Sequence, residues 1–314
     1  MGASSQTIGV AIPKKKKKVN KLRVLFIICC VAPPILSWLI QYVFVNISAF
    51  GMAFMNKDGE LTLEHFVRFY NELQNPVSEI RIAIRNTFLT FGIILLMYPI
   101  QVMVSYFIYK KIPGAAIYRI LFFLPSIIFS VALTMIFQRM IGVEGFIAQA
   151  IQKWKHLDYV PELLADSRFA NTTVLLHMVW LSFPGDLIIW GGTFARIPEE
   201  VLESGKIDGV NWWTEFTKIT VPLVWPTVAM KMVLTFCGCL GASGAVFLLT
   251  AGEFDTVTLN AWMYLELLNN AGTYETSNAY YYMSAVGLIM TVFAITISLF
   301  IRKYMDKAFD EVEF

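Results

Sequence analysis

Long apolar stretches separated by shorter polar segments dominate the sequence. A helix needs roughly 20 mostly apolar residues to cross a bilayer, and six stretches reach about that length. They lie at about 24–47, 87–109, 116–138, 172–194, 223–250 and 278–301, with ends defined to about 2–4 residues. The pattern therefore predicts an all-α, polytopic membrane protein with six transmembrane helices.

Two of the intervening segments, 48–86 and 139–171, carry apolar residues at helical spacing. In the first these are Leu61, Phe66, Phe69, Tyr70 and Leu73; in the second they are Phe146, Ile147, Ala150, Ile151 and Trp154. Each segment is predicted to hold a short amphipathic helix at the membrane surface. Such helices either cap the outer mouth of a bundle or only shield loop backbone, and both interpretations stay open.

The segment 196–222 is the long loop on its side of the predicted membrane, and it carries helix signals. Pro198 suits a first-turn position, and the acidic residues after it suit the positive end of a helix. The Asp208-Gly209 pair predicts a turn, after which Asn211 can cap a second helix that Pro222 would stop. That second helix carries Trp212, Trp213, Phe216 and Ile219. We expect a helix-turn-helix with apolar residues available to a partner.

Composition and charge placement agree with a bilayer as the solvent. Hydrophobic residues make up 57% of the 314 residues and charged residues 15%, and the mean hydropathy is +0.60. If the N-terminus is cytoplasmic, most of the 25 lysines and arginines fall in cytoplasmic segments, as the positive-inside rule requires. Both termini and the 196–222 segment are therefore expected on the cytoplasmic side.

The two ends of the chain are expected to lie outside the membrane domain. Residues 1–23 are predicted to be a disordered basic cytoplasmic N-terminus, 24–305 the transmembrane domain, and 306–314 a cytoplasmic tail. The lysine run at 14–18 is interpreted as a topology anchor. A cleaved signal peptide fits less well because the apolar stretch that follows exceeds the 7–15 residues of a signal-peptide core. A nucleic-acid patch also fits less well, and the net charge of +2 indicates no such partner.

One motif within 196–222 resembles that of a known family. The stretch Glu203-Ser204-Gly205-Lys206-Ile207-Asp208-Gly209-Val210 is followed by Trp213, Phe216, Ile219 and Pro222. It resembles the EAA loop of permease subunits of binding-protein-dependent ABC importers, which reads E-A-A-x-x-D-G-A and then W, F, I and L-P. Ser204, Gly205, Val210 and Val221 depart from the pattern by small or conservative changes.

The resemblance extends over about residues 24–305 and is greatest to the sugar-permease branch. The further residues that carry it are Arg85-Asn86-Thr87, Phe122-Phe123-Leu124-Pro125, Trp180, Pro184 and Leu249-Thr250. It implies a type I permease fold in which the loop docks on a cytoplasmic ATPase and drives alternating access. The expected ATPase-coupling residues are Glu203, Ser204, Gly205, Asp208 and Gly209; Trp213, Phe216 and Pro222 would anchor the loop to its own bundle.

The resemblance also implies partners. These are a second permease subunit of similar fold, two cytoplasmic ATPase subunits, an extracellular solute-binding protein, membrane lipid and a carbohydrate substrate, which could be a mono-, di- or oligosaccharide. The sequence contains no G-x-x-x-x-G-K-[ST] phosphate loop, so ATP is expected on the partner and the chain itself is expected to be no enzyme and to hold no cofactor.

Candidate substrate-cavity residues lie inside the predicted spans. A charge within a span suggests a functional site, and Asp186 is such a charge. It could line a cavity, pair with a cation of a neighbouring subunit or face cytoplasmic water, while Lys231 is expected to reach the inner interface. The fifth span holds a run of small residues at 238–244, where Ser243, together with Thr250, is a candidate for substrate contact. Close helix packing is the alternative reading of that run.

Other function classes have less support. An ion-gradient-driven secondary transporter with Asp186 as its coupling acid is the main alternative. A membrane enzyme would need paired carboxylates, a nucleophile elbow or metal spacing, and none is found in the sequence. The cysteines at 29, 30, 237 and 239 and the histidines at 65, 156 and 177 have no ligand spacing, so no metal is expected.

Overall fold

The computed structural model describes residues 21–156, 159, 162–271 and 276–307. The predicted disordered N-terminus up to residue 20 and the tail from 308 lie outside these residues. Within the described ranges the chain is helical, apart from turns and one isolated bridge between Met55 and Leu61. Six stretches are long and apolar enough to cross a membrane: Leu25–Ala53, Glu79–Tyr109, Ser130–Lys155, Ala170–Phe194, Trp212–Leu240 and Asn278–Asp306. The prediction of an all-α protein with six spans is confirmed.

The chain divides into two compact units at Gly51. The described part of the first unit is a single helical run, composed of Lys21–Trp38, a π-helical stretch Leu39–Phe44 and the beginning of Val45–Ala53. Pro33 and Pro34 lie inside it, where each removes one backbone donor. The amide of Asn46 donates to the Tyr42 carbonyl at 2.5 Å, within the same run.

The second unit, from Met52 onward, holds the remaining helices. In chain order these are Glu64–Gln74, Glu79–Tyr109, Ala115–Ile127, Ser130–Ile141, Phe146–Lys155, Ala170–Phe194, Glu199–Ile207, Trp212–Leu240 in three continuous pieces, Gly244–Leu249, Leu259–Asn269 and Thr276–Asp306. The two predicted surface helices are present as Glu64–Gln74 and Phe146–Lys155. The second packs through Ile147, Ala148 and Ile151, whereas Phe146 and Trp154 are exposed.

The span Glu79–Tyr109 packs along Ala170–Phe194 and forms the centre of this unit. Trp190, fully buried, donates its ring N–H to the side-chain oxygen of Gln101 at 3.4 Å and meets the Tyr98 ring edge-on. Two apolar clusters lie along this pair. One surrounds Trp262 and Tyr282 and reaches the helices Glu64–Gln74 and Phe146–Lys155. The other surrounds Trp190 and reaches the 196–222 segment.

The third predicted span, 116–138, is wrong as a continuous helix. Ala115–Ile127 and Ser130–Ile141 are separated by two extended residues, Ile128 and Phe129. Pro125 lacks an N–H, so one carbonyl of the preceding turn loses its helical partner just before the break. The span identified by hydropathy, Ser130–Lys155, is itself interrupted between Ile141 and Phe146. At Gly145 within this interruption, a Cβ would lie 2.2 Å from the Met140 carbonyl oxygen.

The fifth predicted span, 223–250, is wrong at both ends. Its helix begins at Trp212, passes through a π-helical stretch Glu215–Thr220 and continues to Leu240; after Gly241–Ser243 a separate helix covers Gly244–Leu249. Pro222 was expected to stop the loop helix, yet the helix runs through it. The Val221 N–H bonds five residues back to Phe216, and this wider turn relieves the clash that a proline ring makes with the carbonyl four residues earlier.

A polar clamp holds the loop that follows Gly244–Leu249. Ala251, Phe254 and Asp255 have φ values of 55°, 55° and 58°, in the left-handed region that costs non-glycine residues energy. Asn86, buried in the second span, donates its amide to the carbonyls of Asp255 at 2.7 Å and Val257 at 2.9 Å. These two bonds offset the strain and fix the loop on the bundle.

Asn86→Leu should release this loop. The substitution removes the side-chain donor from both carbonyls. Val257 is buried, and leaving its carbonyl unpaired costs about 1–3 kcal/mol before relaxation, whereas Asp255 is exposed and its carbonyl can bond to water. We expect faster amide exchange across residues 251–258 and a lower Tm of the detergent-solubilised protein. Asn71→Leu, at an exposed position on Glu64–Gln74, is the control and should change neither quantity. Unchanged exchange in Asn86→Leu would show that the clamp does not hold the loop.

Candidate functional site

The EAA-like loop, residues 196–222, begins with the helix Glu199–Ile207. Pro198 precedes the helix in an extended conformation, which suits a residue without an N–H. Glu199 and Glu200 occupy the first turn and Lys206 the last, so each charge lies at the helix end whose dipole it complements. The first half of the predicted helix-turn-helix is therefore present.

A tight turn at Asp208 and Gly209 ends this helix. Gly209 has φ +73°, a conformation that glycine adopts at little cost. The Val210 N–H donates to the Gly205 carbonyl at 3.0 Å, and the Asn211 side chain accepts from the Thr214 N–H at 2.8 Å. The latter bond is the predicted N-cap, so the turn and the start of the next helix are both locally encoded.

Gly205 faces the chain's own second loop helix. It is buried, and a Cβ at this position would lie 3.1 Å from the Ile219 side chain. Its small size therefore permits packing within the loop, and its role in ATPase coupling stays a prediction. Glu203 and Ser204 are exposed on the first loop helix, Glu199–Ile207, and Asp208 is exposed directly after it.

Aromatic side chains join the second loop helix to the bundle. Phe216 is buried with its ring centroid 5.1 Å from that of Tyr106, and Trp212 lies 5.6 Å from Phe107. Trp213 is 53% exposed and contacts Phe216 from the outside, 6.1 Å between centroids. Pro222, the third proposed anchor, lies partly buried within the continuous helix.

A buried carboxylate reinforces this attachment. Glu215 is only 5% exposed; it accepts a hydrogen bond from the Tyr106 hydroxyl at 3.0 Å and forms an ion pair with Lys110. Tyr106 and Lys110 both belong to the end of the second span. Sequence reasoning missed this contact, although an acid inside the aromatic run 212–216 and a lysine pair at 110–111 on the same predicted side were available as signals.

Apolar side chains remain uncovered on the loop surface. Ile207 is 86% exposed beside the turn, and Trp212 and Trp213 are about half exposed. Together with the exposed Glu203 and Asp208 they form a mixed apolar and acidic surface. Such a surface is typical of a docking site because water solvates its apolar part poorly.

A cavity of about 370 Å³ lies further along the helix Trp212–Leu240, among the second, fourth and fifth spans, and its lining is mostly apolar. Its polar lining residues are Thr90, Ser182, Asp186, Lys231, Thr235 and Ser243. Tyr98 donates its hydroxyl to the Lys231 carbonyl at 3.1 Å, which fixes this turn of the fifth span against the second.

The structure brings together two of the three candidate cavity residues. Asp186 and Ser243 line the cavity, whereas Thr250 is buried outside it and bonds to the Thr256 hydroxyl at 2.5 Å. Lys231 donates to Asp186 at 2.5 Å, with both side chains 11% exposed. The expectation that Lys231 reaches the membrane interface is therefore wrong, because a carboxylate of its own chain holds it in the cavity.

Metal ligation finds no support in the described ranges, where no group of three or more His, Cys, Asp or Glu side chains could hold an ion. His177, buried in the fourth span, bonds to the Thr134 hydroxyl at 3.1 Å and contacts the Phe137 ring. Its surroundings are those of a packed side chain.

Comparison with known proteins agrees with this arrangement. Residues 77–311 match the family described as the binding-protein-dependent transport system inner membrane component. The chain belongs to this family. The match covers every membrane-spanning helix of the second unit and the EAA-like loop, so this multi-pass membrane protein is a component of a transport system.

Several curated relatives are similar over part of their length. The chain is 29% identical over 191 residues to the probable ABC transporter permease protein YesP of Bacillus subtilis, covering 60% of each protein. It is 28% identical over 203 residues to the maltodextrin transport system permease protein MdxF of the same species, 60% of this chain and 45% of the relative. The match to the maltose/maltodextrin permease MalF of Vibrio vulnificus is 28% over 145 residues, 27% of that protein.

Solved structures share the fold over nearly the whole chain. A chain of a bacterial ABC transporter involved in the import of the acidic polysaccharide alginate superposes with a TM-score of 0.76 and 22% identity, covering 91% of this chain and 96% of that one. A chain of the bacterial alginate ABC transporter in complex with alginate pentasaccharide-bound periplasmic protein superposes with a TM-score of 0.75 and 20% identity. This match covers 93% of the present chain and 98% of that one. The permease fold inferred from the EAA-like motif is confirmed.

Glu215→Gln should loosen the loop from the second span. Glutamine keeps an acceptor for Tyr106 but leaves Lys110 without its counter-ion. We therefore expect the free energy of unfolding to fall by about 1–3 kcal/mol and Tm in detergent to be lower. Glu203→Gln removes an exposed acid of the same loop that lies outside the first helical turn, and it should leave Tm unchanged. Equal Tm values for the two variants would contradict a stabilising role of the buried pair.

Proposed function

We propose that this chain is the membrane-spanning permease subunit of an ATP-driven ABC importer, which translocates a carbohydrate delivered by an external solute-binding protein. The observation that carries the proposal is the EAA-like loop, whose second helix continues without a break into the wall of the cavity. Part of the surface suited to a partner, Trp212 and Trp213, therefore lies on the same helix as a site suited to a solute.

The mechanism follows from that continuity. Trp212–Leu240 is 29 residues long, about 43 Å at the usual helical rise. An ATPase that grips Glu199–Ile207 and moves it will also move Trp212, and the displacement passes along the helix to Lys231 and Thr235 in the cavity. Packed helices transmit such movements as rigid bodies because their side chains cannot be compressed.

The proposed energy source is a separate polypeptide. The sequence has no phosphate-binding loop, so two cytoplasmic ATPase subunits would bind and hydrolyse ATP and this chain would be no enzyme and hold no cofactor. Six spans form half of the usual permease pair, and a second permease subunit of similar fold completes the pathway. In this arrangement the EAA-like loop and both termini lie in the cytoplasm.

A carbohydrate cargo is supported by two observations. Hydroxyl, ammonium and carboxylate groups line the cavity and suit a solute rich in hydroxyl groups. The relatives include permeases of maltose, maltodextrin and lactose systems, and both structural neighbours come from an alginate transporter. Mono-, di- and oligosaccharides all remain candidates, delivered by an extracellular binding protein.

A secondary transporter with Asp186 as its coupling acid has less support. Such an acid must exchange a proton or ion with water during each cycle. Asp186 is instead held by Lys231 at 2.5 Å, and the pair is largely shielded from water. ATP dependence separates the two functions, because the ion-driven protein would work without an ATPase partner.

Glu203→Lys should uncouple the proposed importer. We propose that Glu203 meets a basic group on the ATPase, which a positive charge at this exposed loop position would repel. ATPase copurification from the source cells and ATP-dependent uptake should therefore both fall at least tenfold, about 1.4 kcal/mol. Glu64→Lys, at an exposed helical position outside the loop, is the control and should keep both. Full uptake with Glu203→Lys, or uptake that follows an ion gradient without ATP, would contradict the proposed function.

A further inference from the structure

Among the described residues that line the cavity, the only two with charged side chains are Asp186 and Lys231. They come from the two spans joined by the EAA-like loop and meet at 2.5 Å inside the cavity wall. Membrane-embedded charges are costly to bury singly, and a close pair removes most of that cost. The cavity of this chain therefore contains full charges but no net charge.

We propose that the Asp186–Lys231 pair makes this chain's part of the cavity electrically neutral and thereby selects an uncharged, hydroxyl-rich saccharide over an acidic one. The identity of the cargo rests on the proposed function, whereas the neutrality of the cavity does not. Lys231 and Asp186 are the specificity-determining residues in this account, since each would select the opposite charge if the other were absent.

The geometry leaves groups free to bind hydroxyls. An ammonium has three N–H donors and a carboxylate has two oxygens, and the contact between Lys231 and Asp186 uses one donor and one oxygen. The remaining donors and acceptor can bond to a sugar hydroxyl, which both gives and accepts hydrogen bonds. Thr235 extends the same kind of lining along the fifth span, and Ser243 extends it just beyond the end of that helix.

A charged cargo fits this site less well. A carboxylate of a uronic acid would have to take Lys231 from Asp186 and would then lie beside an unpaired carboxylate. A cationic cargo would have to take Asp186 from Lys231 and would then lie beside an unpaired ammonium group. A neutral saccharide needs neither exchange, so the pair can stay closed while the cargo binds.

The field inside the cavity can be measured without knowing the cargo. Gly238 lies on the cavity face of the fifth span, two turns from Lys231, and a Cβ there meets no atom within 4 Å. A cysteine at this position, in a full-length chain with the four native cysteines replaced by alanine, serves as the reporter. Its rates with sulfonatoethyl and trimethylammonium-ethyl methanethiosulfonate, one anionic and one cationic, are compared as a ratio, so that differences in access cancel.

We expect Asp186→Asn to raise the anionic-to-cationic ratio roughly threefold to tenfold and Lys231→Gln to lower it by a similar factor. The double variant Asp186→Asn/Lys231→Gln is neutral again and should return within about twofold of the paired protein. A reporter at Asn71→Cys, on the surface helix Glu64–Gln74, should show no change in any background. Gly244→Cys, also lining the cavity with open space around it, repeats the measurement if a variant with Gly238→Cys does not fold.

Equal ratios in the paired protein and both single variants would overturn the proposal, as would a strong preference for one reagent in the paired protein.

The cargo is tested separately in the source cells, with labelled galactose oligosaccharides competed by unlabelled galacturonate oligosaccharides. We expect weak competition in the unsubstituted protein and at least tenfold stronger competition with Asp186→Asn. Competition by galacturonate that is equal in both proteins would contradict the selection of neutral cargo. If neither saccharide is taken up, the proposed function is wrong for these sugars, and the reagent ratios alone decide whether the pair sets the charge of the cavity.

Discussion

The unbroken helix from Trp212 to Leu240 is the constraint on which the rest of the structure depends. Its first turns belong to the EAA-like loop and its middle turns line the cavity, so a displacement of Trp212 can pass to the cavity within one helix. A π-helical stretch lets the helix pass Pro222, where an ordinary helical turn would meet the proline ring.

Two ion pairs with buried carboxylates attach this helix to its neighbours. Glu215 joins its start to Lys110 and Tyr106 at the end of the second span, and Lys231 joins its middle to Asp186 in the fourth span. Apolar packing alone positions a transmembrane helix weakly because lipid offers similar contacts. Charge pairs in the same environment have few alternative partners, and they therefore define the position of the helix more sharply.

Much of this arrangement could be predicted from sequence. Apolar stretches predicted the number of spans, and local signals predicted the helix at 199–207, the turn at Gly209 and the cap at Asn211, because each depends on residues close in the chain. The two interruptions at Ile128–Phe129 and Gly241–Ser243 could not be predicted from hydropathy, since an apolar stretch looks the same whether the helix within it is continuous or broken.

Contacts between distant residues were the other part that the sequence did not reveal. Asp186 and Lys231 are 45 positions apart, and Tyr106 and Glu215 are 109 apart. Each residue could be recognised as unusual by itself, but its partner depends on how the spans pack. Thr250 was predicted at the cavity because the sequence did not show the break in the helix. In the structure it lies beyond that break and bonds to Thr256.

The most direct test of the account is whether ATP changes access to the cavity in the intact transporter. The measurement is the rate at which a membrane-impermeant thiol reagent, added on the side opposite the EAA-like loop, reaches a cysteine at Ser243. Coupling through the Trp212–Leu240 helix predicts a rate that rises several-fold when ATP is trapped on the partner, and no rise when Glu203 is replaced by lysine. A rate that is the same with and without trapped ATP would contradict the account.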